Sequence, residues 1–172
     1  MTTTIMVEAI ENYIVATLQD VTGLDDVKVF IKGGLPPGIM VPQDKYPFSE
    51  VFCGRAANDD ELTGNYYEDR YVGLITFSVL TTQQANADWL EMSGERVVEL
   101  ESYRQVRRLV HAAVDELRKS EHRDLGALAV GDAVVVRFYI TEPTYGFDLN
   151  ARSNNWENFG SIPFEVEVQE TY

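Results

Sequence analysis

The strand signal at residues 67–82 constrains the fold of this 172-residue chain more than any other segment. Apolar side chains occur at both parities there, with Tyr71 and Phe77 in one set and Val72 and Leu74 in the other. A strand with one solvated face would instead alternate between apolar and polar residues. The segment is therefore predicted to be a central strand, or one whose second face is also covered.

Four further segments have strand composition or strand alternation, and they are 27–31, 49–54, 133–140 and 162–171. The second of these is expected to pair with 67–82 as a hairpin. In the last one, Phe164 and Val166 alternate with Glu165 and Glu167. This alternation indicates a half-exposed last strand whose charged outer face protects an edge of the sheet.

Two segments have the periodicity of helices. Residues 4–19 and 103–120 carry apolar side chains at helical spacing, with Glu11 on the polar side of the first helix. Ser102 and Gln105 fit a capping box, in which two side chains satisfy backbone donors at a helix start. The sequence therefore predicts two main helices.

Three loops are predicted between these elements. Residues 33–47 contain four of the six prolines, which cannot donate ladder hydrogen bonds, and so form a long, stiffened loop. Residues 58–65 are an acidic hairpin tip, and residues 148–160 are a polar loop. A structureless loop of about 15 residues in a compact domain usually has a function or contacts a partner.

Together these elements predict an α+β fold: a mostly antiparallel sheet of about five strands with two main helices packed on one face. The length suits a single domain over residues 1–172, which can bury roughly 70% of the surface of its unfolded chain. The single cysteine, Cys53, excludes an internal disulfide and any multi-cysteine metal site.

The chain is strongly acidic, since 28 Asp and Glu residues oppose 14 Lys and Arg residues and give a formal net charge of −14. Nucleic-acid binders neutralise phosphates with Lys and Arg, so this charge argues against tight DNA binding. Anionic membrane surfaces are disfavoured for the same reason. No apolar run approaches the ~20 residues of a membrane span, and we expect no membrane partner.

No catalytic or metal-binding motif is recognisable. His111 and His122 lie on or at the end of the second helix, where solvated side chains are expected, and Cys53 lies in an apolar strand as a small buried side chain. An EF-hand starting at Asp59 would need a bidentate Glu at the position that Arg70 occupies. We therefore expect no enzyme activity, no metal and no cofactor.

The order of elements and several segments resemble the tail-terminator (tail-completion) proteins of long-tailed bacteriophages. These segments are the first helix IMVEAIENYIVATLQ, the strand VKVFI, the proline-rich loop ending in YPFSEVF, the long strand YVGLITFSVLTT, the helix SYRQVRRLVHAAVDELRK, and VVVRFYITEP with the final GSIPFEVEV. The resemblance covers nearly the whole chain. It implies a small α/β subunit of a ring, commonly a hexamer, that caps the tail tube, ends tube polymerisation and offers a joining surface to the head connector.

The same resemblance implies the partners and the location. The partners are other copies of the chain in the ring, the tail tube protein, and the head-closure or connector protein. The location is the tail or neck of the virion, after assembly in the host cytoplasm. DNA would pass through the lumen of the ring without specific binding, because an acidic lumen repels it.

Under this interpretation, three regions are candidate interfaces with other subunits or with the tube. Their residues are Asp59, Asp60 and Glu61 in the acidic tip, Arg104, Arg107 and Arg108 on the second helix, and Trp156 in the polar loop. The proline-rich loop 33–47 is a fourth candidate. The alternative for the arginines is pairing within the helix, for example of Glu101 with Arg104.

Two other functions stay open from the sequence. A head-closure or neck adaptor protein shares the small size, the ring and the acidic charge. A small hydrolase or a ligand-binding α+β protein would need a pocket that brings His111 or His122 beside a nucleophile.

Overall fold

Two helices and seven strands make up the part of the chain that the computed structural model describes, which is residues 2–36, 39–56, 66–81, 101–150 and 155–171. In chain order they are α1 Thr2–Gln19, β1 Val29–Lys32, β2 Phe48–Arg55, β3 Tyr66–Leu80, α2 Glu101–Leu117, β4 Ala129–Val130, β5 Ala133–Ile140, β6 Thr144–Asn150 and β7 Asn155–Thr171. Neither of these helices is long and apolar enough to cross a membrane.

The seven described strands form one sheet in the order β1-β2-β3-β7-β5-β4, with β6 also paired to β7. β1 and β2 are parallel, and the other pairings are antiparallel. The α+β class is confirmed, whereas the sheet is mixed and has more strands than the five predicted. Parallel neighbours need a connection that returns the chain to the same end of the sheet, and residues 33–47 make that return.

β7 lies at the centre of the sheet rather than at its edge. One side pairs with β3, from Tyr66 opposite Thr171 to Leu80 opposite Glu157. The other side pairs with β6 near the start of β7 and with β5 near its end. The predicted edge position of 162–171 is therefore wrong. Its alternating glutamates lie on one face of a central strand. A central strand with one charged face has the same sequence pattern as a protected edge strand, so the pattern does not distinguish the two.

Pro163 lies inside this central strand, a position from which proline is normally excluded. Its carbonyl oxygen accepts a hydrogen bond from the Thr141 N–H at 2.9 Å, so Pro163 faces the β5–β6 side of β7. The chain passes from β5 to β6 there, between Ile140 and Thr144. Pro163 lacks the N–H that would return a hydrogen bond to Thr141, so the proline lies where the β5 ladder ends and before the β6 ladder begins.

Most of the predicted polar loop 148–160 belongs to β6 and β7. Its polar side chains in β7 are buried and bonded to distant residues. Asn158 donates to the Ser102 hydroxyl at 2.6 Å, and Glu157 accepts a hydrogen bond from the Tyr46 hydroxyl at 2.7 Å. These partners are remote in sequence, so the local sequence pattern cannot reveal them and indicates a loop. In the folded chain the polar groups are satisfied inside a sheet.

α2 confirms the second predicted helix with shifted ends. Within the described residues it begins at Glu101, so Ser102 and Gln105 both lie inside the helix and do not form the predicted capping box before it. The Ser102 hydroxyl is instead used by β7. The helix ends at Leu117, and a separate short 3-10 turn follows at Ser120–His122.

Both helices pack on one face of the sheet, as predicted, and share a single hydrophobic core with it. Fully buried members are Met6, Ile10, Ile14 and Leu18 of α1, Val106 and Leu109 of α2, and Ile75, Phe77 and Ile162 of the sheet. A smaller cluster of Val41, Tyr46 and Phe48 lies on the opposite face of the sheet, which we call the outer face. The proline-rich loop therefore covers one end of the outer face.

Glu11 of α1 is buried, with 6% of its surface exposed, although its position in the helix predicts a solvated side chain. Its Oε1 accepts a hydrogen bond from the Cys53 N–H at 2.9 Å. Burial raises the pKa of Glu11, while the Cys53 hydrogen bond and the charge of Lys32 oppose the rise. The carboxylate therefore fixes α1 to β2 at a cost in desolvation.

Glu11→Gln is expected to stabilise the fold at pH 7 by about 1 kcal/mol, because glutamine keeps the acceptor for Cys53 and carries no charge. Because the pKa of Glu11 is raised in the folded state, protonated Glu11 makes its full contribution to the free energy of unfolding below pH 4.5, the usual pKa. This contribution is lost as the pH rises through the folded-state pKa. The gain should therefore vanish near pH 4. Denaturant unfolding from pH 4 to pH 7 measures it.

The control for this prediction is Glu8→Gln, one turn earlier on the exposed side of α1. A solvated carboxylate has little desolvation to relieve, and the charge of Glu8 is the smallest of the causes that shift the pKa of Glu11, so the control should change the free energy of unfolding by less than about 0.5 kcal/mol at either pH. Equal behaviour of the two variants would contradict the account of Glu11.

Candidate assembly surface

The outer face carries an apolar patch that consists of Phe52 on β2 and of Val72 and Leu74 on β3. Phe52 lies opposite Leu74 in the β2–β3 ladder. The exposed fractions are 52% for Phe52, 38% for Val72 and 43% for Leu74. The alternation of strand side chains directs these residues away from the helices, since the intervening Cys53 is buried in the core. Large apolar side chains exposed together are typical of interaction surfaces.

Charged groups border the apolar patch on the β7 side. Val72 lies opposite Glu165 in the β3–β7 ladder. Glu165 accepts a hydrogen bond from the Tyr139 hydroxyl at 2.5 Å and also pairs with Arg70. The Tyr139 hydrogen bond and the Arg70 guanidinium lower the pKa of Glu165, against the effect of its burial. The apolar patch therefore has an ionised border, as the polar rim of a protein interface does.

The proline-rich loop borders the apolar patch on the β2 side. The Leu35 N–H donates to Glu50 Oε1 at 2.8 Å, which holds the loop against β2. A Cβ placed on Gly34 would lie 3.9 Å from the ring of Phe52, so the loop backbone is in contact range of that ring. Met40 of the same loop is 61% exposed. The fourth candidate of the sequence analysis thus lies beside the apolar patch.

The sequence carried a signal for this surface, although the residues were not singled out as a site. Val72 and Leu74 form the second apolar set of the segment 67–82. β3 is a central strand, between β2 and β7, which confirms the prediction. On the second face of β3 these two side chains are exposed, whereas the sequence pattern favours a face that is covered by other residues.

The acidic residues Asp59, Asp60 and Glu61 lie outside the described residues. The two strands that lead to them form the predicted hairpin, with Arg55 of β2 opposite Tyr71 of β3.

The three candidate arginines of α2 all have partners within the chain. Arg108 donates to Asp26 Oδ2 at 2.7 Å, Arg104 lies 3.9 Å from Glu101, and the Arg107 guanidinium lies 5.7 Å from the centre of the Tyr103 ring. The Glu101–Arg104 pair is the intrahelical alternative considered from the sequence. Exposed pairs of this kind are worth about 0–1 kcal/mol, so they can exchange partners in an assembly at little cost.

Trp156 lies in β7 and not in a loop. Its ring stacks on Phe147 of β6, with centroids 5.2 Å apart and an interplanar angle of 16°. The two residues are 38% and 51% exposed, respectively. They form a second exposed aromatic feature, on strands rather than in the polar loop that the sequence predicts.

His111 is exposed, as predicted, whereas His122 is buried with 6% of its surface exposed. The expectation of a solvated His122 is wrong because the turn after α2 places its ring against α1. Its Nδ1 lies 2.9 Å from the Tyr13 hydroxyl, and its Nε2 lies 3.0 Å from Glu116 Oε1. Both ring nitrogens therefore have partners within the chain, in a structural network that ties α1 to the end of α2.

The remaining candidates for a catalytic or metal-binding role are the Cys53 thiol, a cluster around His122 and two surface cavities. Burial and the nearby charge of Glu11 raise the pKa of the Cys53 thiol to about 12, so a thiolate is not available at neutral pH. Glu116, Glu121 and His122 offer ligand atoms within 4.8 Å of one another, and His122 already uses both nitrogens. Two surface cavities of about 230 and 480 Å³ are lined by neither histidine nor cysteine.

No protein-family model and no curated protein match the sequence. Among solved structures, the chain is similar to one in the structure described as "Virion of native gene transfer agent (GTA) particle". The match covers 94% of this chain and 96% of that chain, with a TM-score of 0.50 and 11% sequence identity. The two chains therefore share a fold over almost their full lengths.

Proposed function

We propose that this chain is a structural protein of a phage-like virion and that, within the virion, it is the tail-terminator subunit. Copies of the chain form a ring, commonly six subunits, on the end of the tail tube, stop tube polymerisation and provide the surface on which the head connector docks. The observation that carries the proposal is the shared fold with a chain of a virion particle over nearly the full length of both proteins. The segments that resemble tail terminators support the finer assignment.

The apolar patch supports a role in an assembly. Phe52 and Leu74 expose apolar surface beside each other, and the Glu165–Arg70 pair and the proline-rich loop border them. Exposed apolar patches mark interaction sites, and a ring subunit can bury this one against a neighbouring subunit or the tube. The net charge of −14 fits a lumen through which DNA passes without adhering.

The proposal assigns the chain no catalytic role. Nucleophilic catalysis needs a nucleophile beside a free base. His122 is bonded through both nitrogens to Tyr13 and Glu116, and Cys53 is buried with its thiol protonated. These contacts support structural roles for His122 and Cys53, two of the residues on which the hydrolase alternative would depend.

The experiment that tests the proposal is removal of the gene from the phage or phage-like element that carries it, followed by electron microscopy of the particles. A terminator is expected to leave overlong tubes without heads. Tails of normal length beside unjoined heads would instead support the head-closure or neck adaptor. Normal infectious particles would contradict both structural roles.

A further inference from the structure

A histidine and two carboxylates come together where α2 ends and the short 3-10 turn after it begins. The His122 Nε2 lies 3.0 Å from Glu116 Oε1 and 3.5 Å from Glu121 Oε1. The three ligand atoms all lie within 4.8 Å of one another. Glu116 belongs to the last turn of α2, and the other two residues belong to the turn Ser120–His122. Side chains of two elements therefore converge on one small volume.

The separations between these atoms are close to those of ligands around a single ion. In a tetrahedral zinc site with bond lengths of about 2.0–2.1 Å, neighbouring nitrogen and oxygen ligands lie roughly 3.3–3.4 Å apart. The two separations from the His122 nitrogen, 3.0 and 3.5 Å, lie on either side of that value. Small side-chain rotations are therefore enough for one ion to bind all three residues.

The Tyr13 hydroxyl holds the other side of the His122 ring. It lies 2.9 Å from Nδ1, and a hydroxyl oxygen can accept a hydrogen bond from that nitrogen. In metal-binding histidines, the nitrogen that does not contact the ion donates to an acceptor of this kind, which fixes the tautomer and the orientation of the ring. With the proton on Nδ1, the lone pair of Nε2 faces two carboxylates. A proton or a metal cation must then lie between them.

The surroundings combine a fixed ring with access for an ion. The exposed fractions of the side chains are 8% for His122, 18% for Glu116 and 68% for Glu121. The exposed Glu121 leaves a path from solvent, and water can fill a fourth ligand position. Lys119 binds the second carboxylate oxygen of Glu116, so it orients this ligand as an outer-shell group does and leaves Oε1 directed at His122.

We propose that His122, Glu116 and Glu121 bind a divalent transition-metal ion and that the ion joins the turn after α2 to the helix. Zinc suits the donor set of one imidazole and two carboxylates. The ion replaces the hydrogen bond between His122 and Glu116, so the present partners of Nε2 become its fellow ligands. The site departs from the expectation, drawn from sequence motifs, that the chain binds no metal. It concerns the stability of the subunit and does not depend on the proposed function.

Titration calorimetry with zinc chloride on the full chain, freed of metal with a chelator, tests the proposal at pH 7. We expect one zinc ion per chain with a dissociation constant in the micromolar range or below, and a zinc-dependent rise of the thermal unfolding midpoint. No saturable binding at millimolar zinc would overturn the proposal, as would saturation without any rise of the midpoint.

Glu121→Gln locates the ion, because its exposed side chain can change without disturbing the core. In chelator the variant should unfold at the same midpoint as the wild type, and its affinity for zinc should fall at least about tenfold. Glu142→Gln is the matched control, since it removes one negative charge at a side chain that is 92% exposed and lies outside the cluster. The control should bind zinc like the wild type. Equal affinities of the two variants would overturn the proposed ligand set.

Two further variants separate this site from zinc on the surface. His111→Gln removes the exposed histidine of α2 and should leave the affinity unchanged. Tyr13→Phe keeps the aromatic ring, removes the hydroxyl beside Nδ1, and should weaken zinc binding about tenfold. Binding that is lost with His111, or that ignores Tyr13, would overturn the assignment to His122. The tail-length test of the proposed function does not depend on any of these outcomes.

Discussion

Gly73→Ala is expected to destabilise the fold by about 3 kcal/mol. Gly73 lies in the middle of β3, and a Cβ placed there would be 2.2 Å from the Phe52 carbonyl oxygen and 2.3 Å from Cζ of Phe164. The first contact is backbone in the neighbouring strand, and the second is a fully packed core ring, so neither can move cheaply. Equilibrium unfolding in denaturant at pH 7 measures the loss.

Gly54→Ala is the matched control on the adjacent strand. A Cβ at Gly54 would lie 3.8 Å from the nearest atoms of Phe52, which is ordinary van der Waals contact. The control should therefore stay within about 1 kcal/mol of the wild type. If the two glycine variants lose the same stability, the close packing of Phe164 over Gly73 is not what requires glycine in β3.

The double variant Phe52→Ser and Leu74→Ser is expected to fold normally and to fail in assembly. Both side chains are about half exposed, so their joint loss should lower the free energy of unfolding by only about 2 kcal/mol. Two apolar anchors buried at an interface contribute enough that their loss should lower the titre of complemented particles at least about 100-fold. Plaque or transfer assays on a gene-deleted strain measure that titre.

Ile5→Ser is the control for the apolar patch. Ile5 is 49% exposed, similar to Phe52 and Leu74, but it lies on α1 in the helical layer. It should therefore complement the deletion like the wild type. A double variant that restores the full titre would contradict the role of the apolar patch, and an equal defect in the Ile5 variant would show that any exposed apolar side chain has the same effect.

The periodicity of apolar residues predicted those helices and strands that pack on the core through regularly spaced apolar side chains. α1, α2, β2, β3 and β5 lie where the apolar spacing places them, with ends that differ by a few residues. β6 and the start of β7 could not be found in this way. Buried Glu157 and Asn158 look like loop residues until Tyr46 and Ser102, far away in the sequence, are known to satisfy them.

The arrangement of the strands was less accessible than their existence. Nothing local distinguishes the parallel pairing of β1 with β2 from an antiparallel one. The charged face of 162–171 indicated an edge, whereas Arg70 and Arg137 face Glu165 and Glu167 across the outer face of a central strand. These two glutamates have charged partners on neighbouring strands. Only the register of the strands in the folded sheet reveals those partners.

The candidate site was predictable in part. The apolar residues at both parities of β3 indicated that its second face is covered. In the structure Val72 and Leu74 lie on that face with exposed side chains. The three arginines of α2 were identified correctly as surface residues, but their partners Asp26 and Tyr103 depend on the fold and on helix geometry. Their contact with other subunits stays a prediction.

The measurement that tests the central claim most directly is the distribution of tail-tube lengths in particles made without this gene, by electron microscopy, with the wild-type gene supplied in trans as the control. The account predicts a broad distribution that extends far beyond the normal length, with no heads attached, and a return to one length on complementation. Tubes of one normal length in the absence of the gene would contradict the claim that this chain ends tube growth.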